Sequence, residues 1–164
     1  METHERVAIL LRHGIAHERS TKAEEERDLT SLGHKRMKET ARGLAMLFPK
    51  ACALLSSPLL RCRQTAEWVQ KAYGGKLSTV TRDALRPEGD RAALRALIES
   101  VDARRIIIVG HEPYLTEAML LLTGMNAEHD IELKKGGCYR IRLGADGARL
   151  DWMLSPRVLR QLRP

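Results

Sequence analysis

The chain has 164 residues, a length typical of one folded unit with its own hydrophobic core. It is 43% hydrophobic and 30% charged, as is usual for water-soluble proteins, and no stretch approaches the length of a membrane span. The formal net charge of +7 favours anionic partners such as phosphorylated molecules, whereas the aromatic content of only 4% argues against nucleic acid.

Three cysteines, Cys52, Cys62 and Cys138, form neither an even set nor a metal-binding spacing. We therefore expect reduced thiols, no metal site and no cofactor, in a cytoplasmic protein. The charged residues at 2–6 do not resemble a signal peptide, which agrees with that expectation.

The first apolar run, residues 7–11, predicts a strand that is buried on both faces. Arg12, His13 and Gly14 follow directly, at the point where the strand stops. The charged stretch 17–28 is expected to be a loop with solvated charges.

Helices and strands alternate through the rest of the chain. Helices are predicted to begin near the capping residues or prolines Thr30, Pro58, Asp90, Pro113 and Pro156. Further strands are predicted at 51–55, 77–81, 106–109, 138–143 and 149–153, the last two joined by a hairpin turn. This alternation predicts a single α/β domain over residues 1–164, a three-layer α/β/α sandwich with a mostly parallel central sheet.

Three predicted strands end in chemically active side chains. The first gives Arg12 and His13, the second leads to Arg61 on the following helix, and the fourth ends in His111. Because parallel strands present their carboxyl ends at one sheet edge, we expect these four residues to converge. Two arginines can neutralise phosphoryl oxygens, while one neutral imidazole attacks phosphorus and the other stabilises charge. The cationic surroundings should lower a histidine pKa and keep the attacking ring neutral.

Three segments resemble the signatures of the histidine phosphatase superfamily, also called the phosphoglycerate mutase-like superfamily. They are Leu-Arg-His-Gly at 11–14, Ser-Pro-Leu-Leu-Arg-Cys-Arg-Gln-Thr-Ala at 57–66 and Val-Gly-His-Glu at 109–112. Shorter segments at 28–33, 134–137 and 152–156 resemble the SixA-type phosphohistidine phosphatases. The resemblance implies the fold of that superfamily without a lid insertion. It also implies a transiently phosphorylated nucleophile, His13, in a phosphate pocket formed by Arg12, Arg61 and His111.

The general acid departs from the superfamily pattern. Many members place a glutamate after the third strand to protonate the leaving group, and Pro87 occupies that position here. The neighbouring Glu88 is a candidate catalytic acid, and an exposed loop carboxylate is an equally open interpretation. SixA-type proteins resemble this chain in lacking a clear acid. A phosphoramidate nitrogen can arrive already protonated, so its cleavage needs less help.

These observations predict a metal-independent phosphatase that acts on a phosphorylated histidine-containing protein through a phosphohistidine intermediate. The short connection after the third strand predicts no lid and therefore an open pocket. A phosphatase of small phosphate esters, a non-catalytic phosphate-binding module and a nucleic-acid-binding protein are alternatives; neither nucleic acid nor membrane is the expected partner. Surface or structural roles are expected for Arg63, His4, His17, His34 and His129.

Overall fold

The computed structural model describes residues 5–126 and 131–164, so His4 and His129 lie outside the described residues. The strands are β1 (Arg6–Arg12), β2 (Ala53–Ser56), β3 (Thr79–Thr81), β4 (Arg105–Gly110), β5 (Cys138–Gly144) and β6 (Gly147–Leu154). The α-helices are α1 (Ser31–Leu47), α2 (Leu60–Ala72), α3 (Ala93–Ser100), α4 (Tyr114–Thr123) and α5 (Pro156–Gln161). No helix in the described ranges has both the length and the apolar composition needed to span a membrane.

The six strands form one sheet in the order β3-β2-β4-β1-β5-β6. The pairs β1–β4, β2–β4 and β2–β3 are parallel, while β5 runs antiparallel to β1 and forms a hairpin with β6. The mostly parallel sheet predicted from the sequence is therefore confirmed.

Helices cover both faces of the sheet. Successive side chains of β1 point to opposite faces, so alternate residues of this strand pack against different helices. Ala8 and Leu10 belong to the core cluster that includes residues of α3 and α4. Ile9 and Leu11 belong to the cluster that includes residues of α1, α2 and α5. This arrangement is the predicted three-layer α/β/α sandwich.

The third strand is shorter than its predicted range of 77–81. It covers only Thr79–Thr81, paired with Leu54–Ser56 of β2. It is an edge strand whose only neighbour, β2, has four residues, so the partner limits its length.

The stretch 17–28 is more ordered than a loop with solvated charges. It contains a 3₁₀ helix, Glu24–Glu26, and an isolated bridge joins Ala16 to Leu29. Arg27 is buried and its Nε donates to the carbonyl oxygen of His17 at 2.7 Å. The prediction of solvated charges holds for the exposed residues of this stretch, but it missed the buried guanidinium of Arg27, which with the buried Leu29 folds the segment back onto the protein.

Main-chain hydrogen bonds hold together the strand ends that carry the candidate site. The amide of His13 donates to the carbonyl oxygen of Gly110 at 3.0 Å, and that of Ser57 to the carbonyl oxygen of Val109 at 3.0 Å. The segments after β1, β2 and β4 therefore start from one fixed edge of the sheet.

Candidate active site

His13, Arg61 and His111 meet at this carboxyl edge, and each side chain is buried, with 5%, 2% and 2% of its surface exposed. Nε of Arg61 donates to Nε2 of His13 at 3.4 Å, and Nη2 of Arg61 lies 3.2 Å from Nδ1 of His111. The two imidazole rings stand edge to face, with centroids 5.4 Å apart. The structure thus brings three of the predicted site residues into one cluster.

Hydrogen bonds assign the tautomer of His13. Its Nδ1 lies 2.7 Å from the carbonyl oxygen of Gly14, which can only accept, so Nδ1 carries the proton. Nε2 is then the unprotonated nitrogen, and it faces the guanidinium of Arg61. A neutral imidazole with this nitrogen free of a proton is the form that can attack phosphorus.

His111 has the opposite tautomer. Arg61 can only donate, so Nδ1 of His111 accepts from it, and Nε2 carries the proton. That Nε2–H donates to Oγ of Ser57 at 2.7 Å. Ser57 thus orients the second histidine, a role that its place in the Ser-Pro segment before α2 did not reveal.

Both histidines are held neutral. Burial lowers the pKa of His13 well below its ordinary value; the hydrogen bond to the carbonyl oxygen of Gly14 opposes this shift, and the charges of Arg61 and Arg12 add to it. Burial, followed by the charge of Arg61, lowers the pKa of His111 to about 3. The direction agrees with the expectation that a cationic site depresses a histidine pKa.

Glu24 is a site residue that the sequence did not single out. Its Oε1 accepts from Nη2 of Arg61 at 2.6 Å, and its main-chain oxygen accepts from Nη1 at 3.1 Å. Partial burial by itself raises the pKa of this carboxyl, but the hydrogen bond from Arg27 and the charge of Arg61 outweigh it, and the pKa is lowered. Glu24 is therefore an ionised group that fixes the guanidinium of Arg61.

Arg12, which directly precedes His13, is half-buried, and its charge contributes to lowering the pKa of both histidines. Its Nη1 donates to the carbonyl oxygen of Leu133 at 2.6 Å, while its buried Nε has no hydrogen-bond partner among the described residues. The carboxylate of Glu112 attracts it electrostatically. Burial raises the pKa of Glu112, although hydrogen bonds from the amide and hydroxyl of Thr116 oppose that shift.

Local packing explains why a glycine follows His13. A Cβ on Gly14 would lie 2.5 Å from Cγ of Met37 on α1. The main-chain amide of Gly14 donates to Oγ1 of Thr65 on α2 at 3.1 Å. Gly14 thus permits a close approach between the strand end and two helices. Arg61 sits in the first turn of α2, where main-chain amides and the helix dipole also favour an anion.

The remaining candidate residues lie outside this cluster. Glu88 is exposed, and no hydrogen bond or ion pair joins its carboxylate to another described residue. Arg63 is exposed, with Nε donating to the carbonyl oxygen of Pro58 at 3.0 Å. His17 pairs with Asp28 at 3.7 Å, and His34 accepts from the indole nitrogen of Trp68 at 3.1 Å.

The cysteines are free thiols. Cys62 is buried with Sγ 3.4 Å from Nε2 of His111, and burial raises its pKa to about 12, so it remains protonated. Within the described ranges, no group of three or more histidine, cysteine, aspartate or glutamate side chains is arranged to hold a metal ion.

Comparisons with known proteins show the family and the fold of this chain. The histidine phosphatase superfamily (branch 1) matches residues 8–87. An uncharacterized protein of Picosynechococcus sp. is 38% identical over 138 residues, which cover 82% of this chain and 83% of that protein.

Two solved structures share the fold over nearly the whole chain. The protein histidine phosphatase SixA complexed with tungstate has a TM-score of 0.77 at 24% identity, covering 93% of this chain and 99% of the other. The mycobacterial glucosyl-3-phosphoglycerate phosphatase has a TM-score of 0.73 at 16% identity, covering 92% and 99%. The same architecture therefore serves more than one class of phosphate substrate.

The fold and the paired histidines define a phosphatase-type α/β protein. The chain belongs to the histidine phosphatase superfamily.

Proposed function

We propose that this protein is a phosphohistidine phosphatase that removes the phosphoryl group from a histidine of a partner protein. The observation that carries the proposal is the geometry of His13. Its unprotonated Nε2 faces the guanidinium of Arg61, and a second neutral imidazole, His111, stands beside it. A nucleophilic nitrogen next to fixed positive charge is suited to accepting a phosphoryl group.

In the first step, the phosphoryl group enters between His13, Arg61 and His111. Arg12 and Arg61 donate hydrogen bonds to its oxygens and stabilise the charge of the transition state. The lone pair on Nε2 of His13 forms a bond to phosphorus while the bond from phosphorus to the substrate imidazole breaks. The bonding electron pair leaves with the substrate nitrogen.

In the second step, water attacks the phosphorus of phosphorylated His13. A phosphorus–oxygen bond forms, the phosphorus–nitrogen bond breaks, and its electron pair returns to Nε2. The proton lost by the water passes to solvent, and inorganic phosphate leaves. We propose a metal-independent cycle because the arginines supply the positive charge that both steps require.

Two carboxylates, Glu24 and Glu88, favour phosphohistidine over an ester as the substrate. Glu24 touches Arg61, but its lowered pKa keeps it ionised and makes it a poor proton donor. Glu88, the candidate acid, has no contact with the cluster among the described residues. A phosphoramidate can be protonated at nitrogen before cleavage, so it tolerates a site without a strong acid.

A phosphatase of small phosphate esters is the second candidate. One observation favours it: Glu112 directly follows His111, and its raised pKa makes it a better proton donor than Glu24. If Glu112 protonates an alkoxide leaving group, Glu112→Gln should slow esters with poor leaving groups much more than phosphohistidine.

The proposed function is tested by covalent trapping. The protein is mixed briefly with a histidine-phosphorylated protein carrying labelled phosphate and then quenched in alkali, in which phosphohistidine survives. We expect acid-labile label on the wild-type chain and none on His13→Ala, with phosphate release lost in that variant. Kinetics on a sugar phosphate, measured in parallel, should give a much lower kcat/KM.

His34→Ala is the matched control, because His34 bonds to Trp68 and lies outside the cluster. It should retain both labelling and turnover. Substantial turnover by His13→Ala would contradict the covalent mechanism, and faster turnover of the sugar phosphate would favour the second candidate.

A further inference from the structure

A cavity of about 400 Å³ opens beside the candidate active site and shares Arg12 and Gly14 with it. Its wall comes from α1, the segment before β5, and α5. The charged residues in this lining are five cations and one carboxylate: Arg12, Arg36, Lys134, Lys135, Arg160 and Glu132. We call this space the cationic cavity.

Two of the five cations in the cationic cavity, Arg36 and Lys135, are not neutralised by a neighbouring carboxylate among the described residues. Lys134 pairs with Glu132 at 2.8 Å, and Arg160 forms a longer ion pair with Glu39 at 4.0 Å. Within the part of the chain that the structure describes, no carboxylate lies within 4.0 Å of Arg36 or Lys135. A concave site with excess charge of one sign concentrates ions of the opposite sign.

Two buried donors in the lining also lack partners. Nε of Arg12 and Oγ1 of Thr40 make no hydrogen bond to any described residue, although Thr40 is only 1% exposed. Buried polar groups in folded proteins are nearly always paired. Both residues line the cationic cavity, so two donor groups without partners belong to its wall.

We propose that the cationic cavity binds an acidic side chain that neighbours the phosphohistidine of the partner protein. The inference rests on the proposed function and names a feature of its substrate. Arg12 belongs to both spaces, so it would contact the phosphoryl group on one side and the carboxylate on the other. The rim suits a side chain carried by a larger body, because Lys134 is 60% exposed and Arg36 is exposed as well.

The test uses two synthetic peptides, each with one phosphohistidine. One carries aspartate and glutamate around it, and the other carries asparagine and glutamine at the same positions. We expect the wild-type kcat/KM to be roughly tenfold higher for the acidic peptide, mainly through a lower KM. In Lys135→Ala this preference should fall to about twofold, because one unpaired cation of the cavity is lost.

Lys71→Ala is the control for the loss of a single positive charge. Lys71 lies at the far end of α2 from Arg61, with Nζ 4.4 Å from the centroid of the Trp68 ring. This variant should keep the full preference. Equal losses in Lys71→Ala and Lys135→Ala would mean that only the overall charge acts, and the inference would be overturned.

The outcomes with the two peptides distinguish failure of this inference from failure of the proposed function. If the wild type hydrolyses both peptides at the same rate, the cationic cavity does not recognise acidic side chains of the substrate, and the proposed function is unaffected. Hydrolysis of neither peptide overturns the proposed function and this inference with it. A small bisphosphorylated ester and the corresponding monophosphate are compared in the same way. If only this pair shows a preference that depends on Lys135, the cavity binds an anionic group of a small molecule, and the inference is overturned.

Discussion

Replacing Arg61 by alanine removes a guanidinium that contacts both histidines. Its guanidinium lies 3.4 Å from Nε2 of His13 and 3.2 Å from Nδ1 of His111. Loss of one preorganised donor costs on the order of 3 kcal/mol of transition-state stabilisation, or roughly 10²-fold in rate. We therefore expect kcat/KM in Arg61→Ala to fall by at least about 10²-fold.

The same substitution removes the partner of Glu24 at 2.6 Å, while Arg27 and Arg19 still pair with this carboxylate at 3.1 and 3.2 Å. At an effective dielectric constant of about 20, two like unit charges about 6 Å apart repel each other by roughly 3 kcal/mol. The Glu24 side chain is 38% exposed, so solvent screening leaves about half of that repulsion acting on the incoming phosphoryl group. The total loss should approach about 10³-fold, and adding Glu24→Gln should restore roughly tenfold.

The assay is steady-state kcat/KM on one phosphohistidine peptide, with thermal unfolding to show that each variant is folded. Arg63→Ala is the control, since Arg63 is exposed on the same helix and bonds only to the carbonyl oxygen of Pro58. It should change kcat/KM by less than about threefold. Equal losses at Arg61 and Arg63 would refute the assignment of the pocket arginine. A double variant no faster than Arg61→Ala would show that the Glu24 carboxylate does not act on the substrate.

Three further predictions follow from individual contacts. The pKa of His111 is about 3 in the folded chain and about 6.5 in the unfolded one, so the unfolded state binds more protons between these values. The free energy of unfolding should then fall below pH 6.5 by up to about 1.4 kcal/mol per pH unit, and urea titrations at pH 6.5 and 5 should show a shallower dependence in His111→Gln. Ser57→Ala removes the oxygen that accepts from Nε2–H of His111 and should lower kcat/KM roughly tenfold, whereas Ser56→Ala should not; equal effects would contradict an orienting role for Ser57. Glu88→Gln should slow every substrate by about tenfold or less, and a large loss confined to esters with poor leaving groups would instead identify Glu88 as the acid.

The sheet could be predicted because its central strands correspond to uninterrupted apolar runs in the sequence. Residues 8–11 and 106–109 are fully buried on both faces, so the chain there is uninterrupted apolar sequence. The same reasoning placed His13 and His111 near each other, since each follows one of these neighbouring parallel strands. The edge strand β3 has exposed residues and only one partner, so its bounds could not be predicted as well.

Glu24 shows why one part of the candidate site could not be predicted from the sequence. Residues 24–26 are three consecutive glutamates, chemically identical in sequence, and they form a 3₁₀ helix with three residues per turn. Successive side chains therefore point about 120° apart. Glu24 reaches Arg61 at 2.6 Å, Glu25 reaches Arg86 at 2.9 Å, and Glu26 is exposed. Which glutamate faces the guanidinium depends on the path that residues 17–28 take across the protein, and that path is set by the burial of Leu29 and Arg27 rather than by the local sequence of the glutamates.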